Sequence, residues 1–388
     1  MKNFKLIINL VMVVSSFMFF QCTSEYTPIA GIDGKDGVDG VDGIDGSDAD
    51  AALCIQCHAN EHRDPIINAY ATSGHATGSS WARGTSTGCA QCHNNEGYID
   101  YLSNNFFETD TDPLSPDFGD LILDVNGDPI PMVNPDGYLV SNPINCTGCH
   151  TAHRSFDFTN DGNDYALRNI DPVKLVLDPT VSVDLANASD ALGLSNACVT
   201  CHQPRPSYPI PAGTGDYTIT SFRFGPHHGP QSTMFEGVMG ANIVGSTAYP
   251  GAGANGDNGH RKGTSCVGCH MSESTVATEG GHTWAPSVDA CVTCHDTMTA
   301  LPTETSSWAT NMPILEQLLI DKGYISESGN VLGASGSNAG SSNPLVVPVK
   351  DAQAIWNYKT LQEDNSQGMH NPKYTDALLK NSIEYLQQ

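Results

Sequence analysis

Basic residues are scarce in this chain: 17 Lys and Arg stand against 43 Asp and Glu in 388 residues, a formal charge of −26. A surface of that sign repels the phosphate backbone and anionic headgroups, which excludes nucleic acid and an anionic membrane surface as partners. It suits either a plain solvated exterior or a soluble body that meets basic redox partners. Long apolar runs are lacking too. Leu6 to Phe20 is apolar apart from Asn9, Ser15 and Ser16, and it is short for a membrane span. Cysteine outside one repeated pattern is nearly absent: of 13 Cys only Cys22 stands alone. That excludes a disulfide framework of independent pairs.

The pattern is Cys-x-x-Cys-His, present six times. Its thiols are Cys54 and Cys57, Cys89 and Cys92, Cys146 and Cys149, Cys198 and Cys201, Cys266 and Cys269, Cys291 and Cys294. The following residues are His58, His93, His150, His202, His270 and His295. Thiols at i and i+3 lie on one side of a helical turn and can add to the two vinyl groups of one haem, with the next His aimed at the iron. Zinc would need the pairs to combine into four-ligand sites and gives no reason for a His after each. Six covalent haems c are therefore expected, supplying much of the apolar interior. The fold class that follows is mainly irregular and α, a loop-rich body with short helices around stacked haems and a small helical C-terminus. Gly 38 and Pro 23 agree with it.

The N-terminus, with Lys2 and Lys5 before the apolar run, reads as a signal peptide over 1–21. Cys22 resembles the lipid-modified Cys of bacterial lipoproteins, although Phe19-Phe20-Gln21 departs from the usual Leu-x-small approach. From Gly31 to Asp48 glycine recurs every third residue with Asp closing each triplet and no Pro. Such a collagen-like repeat, self-repelling and short, reads as an extended spacer over 22–50. The haem-bearing domain then covers 51–388. Within it, Leu121 to Val125, Asn126-Gly127 and Asp128-Pro-Ile read as a surface hairpin. Asp157 to Asp164 has the front half of a calcium loop, but position twelve is Arg168 instead of Glu, so an Asx-rich turn is the reading. Gly333 to Asn343 reads as a Gly/Ser/Asn linker. Helices are expected over Asp351 to Leu361 and after Asn371-Pro372.

Six of the 14 His belong to the repeated units, leaving His62, His75, His153, His227, His228, His260, His282 and His370 for the opposite faces of six irons. Methionine is the competing ligand, with seven beyond the signal segment, and these are read mostly as packing residues.

Several blocks resemble bacterial multihaem c-type cytochromes, a group that includes ammonia-forming nitrite reductases and cytochromes of extracellular electron transfer. They are Phe224-Gly-Pro-His227-His228-Gly-Pro-Gln231, Cys266 to Met271, Gly280-Gly-His282-Thr-Trp284 and Met369-His370-Asn-Pro-Lys-Tyr374. The resemblance is good over Cys198 to Gln388 and rests mainly on the haem units before that. It implies His227, His260, His282 and His370 as distal ligands, with His227 taken over His228. His75 and His153 are taken for the other two places, His153 serving a neighbouring haem because the chain cannot wrap a ring within three residues. His62 and His228 remain as the spares.

Two imidazoles per iron leave no open position. The expected function is that of an exported, lipid-anchored hexahaem cytochrome at the outer membrane, on the cell surface or in the periplasm. It would relay electrons between membrane carriers and an external or soluble acceptor, and copies could assemble. The alternative is a reductase of nitrite, hydroxylamine or a sulfur oxyanion at one open haem. The CxxCK unit that marks such a haem in the nitrite reductases has no counterpart here.

Overall fold

Each Cys-x-x-Cys-His unit folds onto a helical turn. In the third, fourth and sixth units the His amide donates to the carbonyl of the first Cys, at 2.8 Å for His150, 2.9 Å for His202 and 2.8 Å for His295. This i to i−4 bond gathers both thiols and the imidazole on one turn. Helices this short depend on their caps. Asn145 Oδ1 accepts from Thr147 N at 3.0 Å, Ser265 Oγ from Gly268 N at 3.4 Å and Ser287 Oγ from Ala290 N at 3.4 Å. Each cap satisfies an amide that a helix start leaves without a partner.

The computed structural model describes residues 51–155, 164–205 and 207–388. The expected signal segment, Cys22 and the Gly-x-Asp repeat lie outside them, as does most of the Asx-rich turn at 156–163. What is described is mostly helix and loop, within a unit that runs from Asp50 to Gln388. Its strands are short antiparallel pairs: Phe106–Phe107 with Pro131–Met132, Val173–Lys174 with Ser182–Val183, and Asp216–Ile219 with Leu345–Pro348. The hairpin expected around Asn126-Gly127 forms, with a bridge between Leu123 and Pro129. Gly127, at φ 86°, is its left-handed residue, and Asp124 Oδ1 caps the turn from Asn126 N at 2.8 Å. Leu121, Leu123 and Val125 are exposed, while Ile130 and Met132 line an internal cavity.

The main apolar core lies in the C-terminal part. Helices Ser306–Asp321, Val349–Asp364 and Pro372–Leu386 pack together through Leu315, Leu319, Trp356, Leu361, Leu378 and Leu379, all fully buried. The last two match the expected helices. Ser306–Asp321 was not foreseen; Pro313 inside it masks the pattern. Asn371 Oδ1 caps the last helix through Tyr374 N at 3.1 Å, with Pro372 at its start.

The expected linker at 333–343 is an error of reading. The segment is built of tight turns, with bridges Leu332↔Asn338 and Gly340↔Asn343, and Ala339 is buried against the core. A Cβ on Gly333 would stand 2.0 Å from the Asn343 carbonyl oxygen. Glycine is there for close packing, which composition does not distinguish from looseness.

Tyr374 and Trp356 fasten the helical core to the preceding loop. Tyr374 Oη accepts from Gly240 N at 2.8 Å, and Trp356 Nε1 donates to Met239 O at 2.9 Å. A second, smaller cluster gathers Val173, Leu175, Val183, Leu185, Val199 and Phe235. Over residues 54–150 buried apolar side chains are sparse, chiefly Ala90, Tyr98 and Val133. The interior there is a cavity.

Candidate metal centre

That cavity has a volume of about 3620 Å³ and is walled by thiols and imidazoles of the second to sixth units. A pocket for one drug-sized ligand takes about 300–1,000 Å³, so this space accommodates several large groups. All twelve unit cysteines are unpaired. Among the described residues no group of three or more His, Cys, Asp or Glu converges as a metal-ion site.

The imidazoles converge in pairs instead. His58 faces His153 with ring centroids 6.1 Å apart, His75 faces His202 at 6.3 Å, and His150 faces His282 at 6.2 Å. His260 faces His295 at 6.2 Å and His270 faces His370 at 6.4 Å. A metal–imidazole bond is about 2.0–2.1 Å and the ring centroid lies about 1.1 Å behind the nitrogen, so two imidazoles on opposite sides of one metal have centroids about 6.2–6.4 Å apart. Five pairs thus stand at the distance that one shared metal requires. Each joins the His of one unit to a His from elsewhere in the chain. His153, three residues after His150, lies against the His of the first unit; His282, between the fifth and sixth units in sequence, lies against that of the third.

The second unit differs. Among the described residues no ring is paired with His93 at that spacing. His228 bears electrostatically on His93, and His93 in turn bears on His227. Those two rings are 4.7 Å apart. His62 is exposed and stays beside Glu61 at 3.9 Å.

The ring nitrogens are held in a common way. Nδ1 of His150 donates to Tyr165 O at 2.8 Å, Nδ1 of His270 to Trp284 O at 2.9 Å and Nδ1 of His260 to Met369 O at 2.7 Å. Nδ1 of His370 donates to Asp364 Oδ1 at 2.6 Å, and Nδ1 of His228 to Glu363 Oε2 at 2.5 Å. Carbonyl and carboxylate oxygens only accept, so Nδ1 carries a proton in each, and in the neutral ring Nε2 is left bare. His202 Nδ1 meets Gln231 Oε1 at 3.3 Å, and Gln231 Nε2 donates to Glu363 O at 3.1 Å and Asp364 O at 3.3 Å. Such outer partners orient metal-binding rings and fix their tautomer.

Three of these partners, Glu363, Asp364 and Met369, come from 363–369, where helix Val349–Asp364 ends, a segment with no cysteine. Sequence reasoning passed over Glu363 and Asp364. The available signal was their sign: two acids close a helix at the end where cations are favoured, and Asp364 is buried.

Burial lowers six of the fourteen imidazoles, toward the neutral form that metal binding requires. It pushes His75 down to about 4, with His202 adding to the effect. His227 also falls to about 4, through burial first and then Arg205, His228, His93 and Arg83. His93, His202, His270 and His282 are lowered, burial again leading. His370 goes the other way. Burial acts to lower it, but the Asp364 charge and hydrogen bond and the nearby Cys266 outweigh that, and the net shift is upward.

The units lie side by side. Cys92 and Cys201 bear on each other electrostatically, as do Cys198 and Cys266. Cys149 bears on Cys198 and Cys201, and Cys291 and Cys294 bear on Cys269.

No family model, no curated protein and no solved structure matches this chain. Among the described residues no helix is long and apolar enough to cross a membrane.

Proposed function

We propose that the chain is a hexahaem c-type cytochrome that conducts electrons between redox partners. The supporting observation is the set of five imidazole pairs at 6.1–6.4 Å, each anchored on one Cys-x-x-Cys-His unit. When bound, each haem supplies a one-electron couple at its iron. The chain's own residues do the rest. The cysteines would tether the haems, the paired imidazoles would hold their irons, and the Nδ1 acceptors keep those rings in place. An iron closed on both sides has no place for a substrate, so conduction is favoured over catalysis.

The arrangement of units supports a continuous path. His153 links the first site to the third, and Cys149 stands beside the fourth unit. Cys198 and Cys266 of the fifth bear on each other, and Cys269 of the fifth lies near the sixth. The second unit joins at the fourth through Cys92 and Cys201. The order is first, third, fourth, fifth, sixth, with the second as a branch. Cys54, Cys57, Cys146 and Cys294 are exposed, so the first, third and sixth units all reach the surface, where an electron partner would dock. Export, lipidation at Cys22 and a place at the outer membrane, on the cell surface or in the periplasm belong to this reading as its cellular setting.

One observation favours the alternative of a reductase for a small oxyanion. His93 has no ring at axial spacing among the described residues, and Arg83 and Arg205 bear on it. The oxidised protein distinguishes the two. A pyridine haemochrome assay should find six covalent haems, and EPR should be nearly all low-spin. Four haems or fewer would sink the cytochrome reading. One stoichiometric high-spin iron that binds nitrite rapidly would favour the reductase.

A further inference from the structure

Trp284 touches candidate ligands of three different sites. Its indole lies edge-on to the His75 ring at 4.5 Å and 83°, and against the His282 ring at 5.4 Å and 68°. Its backbone carbonyl accepts the Nδ1 proton of His270 at 2.9 Å. Those imidazoles pair with His202, His150 and His370 respectively, in the fourth, third and fifth units.

The backbone is shaped for this. Trp284 has φ 53°, a left-handed conformation that is sparsely populated for a bulky residue. Such strain persists only where the surroundings over-determine it. Here they do. Gly280 N donates to Ala285 O at 2.7 Å, and Thr283 Oγ1 donates to Gly280 O at 2.7 Å. A Cβ on Gly280 would lie 2.0 Å from Ser272 O, so the turn tolerates only glycine there. On its outer side Tyr70 meets the indole edge-on at 6.2 Å, and its hydroxyl donates to Ile144 O, just before the third unit.

We propose that Trp284 is the positioning residue of a three-way junction between the third, fourth and fifth haem sites. The indole sets the ring planes of His75 and His282, and the left-handed backbone aims the carbonyl at His270. One residue thereby fixes three axial ligands where the path turns. The inference rests on the six-haem reading.

The test separates the two. Haem is counted first by pyridine haemochrome; four or fewer in the wild type defeats the underlying reading and the junction with it. Trp284→Gly then removes the indole while keeping the left-handed backbone accessible. All six haems should stay attached. Low-spin EPR signals of the third and fourth sites should shift, and those of the first and sixth should stay. Trp284→Phe should restore most of the wild-type spectrum, because an aromatic edge returns. If Trp284→Gly fails to mature, Trp284→Leu is compared with Trp284→Phe. Spectra and midpoint potentials unchanged in Trp284→Gly, or identical for Leu and Phe, would reduce Trp284 to a packing residue.

Discussion

His370 faces His270 at 6.4 Å while its Nδ1 donates to the buried carboxylate of Asp364 at 2.6 Å. A carboxylate behind an imidazole raises its basicity and favours the oxidised metal in front of it. Asp364→Asn keeps an acceptor and removes the charge. It should raise one haem potential by on the order of 50–100 mV, the scale of a charged hydrogen bond expressed for one electron. Redox titration with spectral deconvolution measures this. His370→Ala should instead turn one iron high-spin with all six haems retained. A wild-type set of potentials in Asp364→Asn would show that the carboxylate has no electronic role.

His228, and not His227, shares the Nδ1 arrangement of the paired rings, through Glu363 at 2.5 Å. The sixth ligand of the second unit is therefore expected from His228. His228→Ala should open one iron to water, giving a high-spin signal and fast cyanide binding. His227→Ala should stay low-spin. The reverse outcome would restore His227, which the block resemblance implies. Glu363→Gln should weaken ligation without abolishing it.

Ring planes differ from pair to pair. They cross at 81° for His58 and His153, 72° for His75 and His202 and 83° for His260 and His295. They are only 31° apart for His150 and His282, and 45° for His270 and His370. Near-perpendicular imidazoles leave the two iron π-type d orbitals almost degenerate and make the low-spin signal strongly anisotropic. Near-parallel ones split them. The oxidised protein should thus show at least two low-spin classes, with the first, fourth and sixth sites in the anisotropic one. A single rhombic class throughout would contradict these angles.

Acid should act late on the fourth site. His75 is pushed down to about 4 by burial and by His202, below its unfolded value near 6.5. Between those values the unfolded chain binds a proton that the folded one refuses, so stability falls as pH falls through that window. While the fold lasts, the ring stays neutral and able to ligate. Acid titration followed by the Soret band and circular dichroism should therefore show ligand loss together with unfolding, at pH well under 6. Loss of one ligand at pH 6.5 in an otherwise folded protein would refute the burial of His75.

Much of the architecture was legible in the residues. The helical turn at each unit follows from its spacing, and the last two helices follow from periodicity and the Asn371-Pro372 start. Other parts misled. Gly and Ser at 333–343 read as looseness because the same residues make tight turns and flexible chain. Pro313 hid the helix Ser306–Asp321, since a proline inside a helix looks like its end.

By itself the sequence determined how many Cys-x-x-Cys-His units there are and which imidazole accompanies each, because the whole motif fits within one helical turn. Within such a turn, distance along the chain is distance in space. Only the tertiary structure decided which remote His meets which unit, that Glu363 and Asp364 stand behind two rings, and that Trp284 joins three sites. Those placements depend on burying Trp356, Leu378 and their neighbours, which carries the end of helix Val349–Asp364 and the start of helix Pro372–Leu386 to the cavity. Burial of apolar surface has no sequence range: it brings together whatever the packed core leaves at its edge.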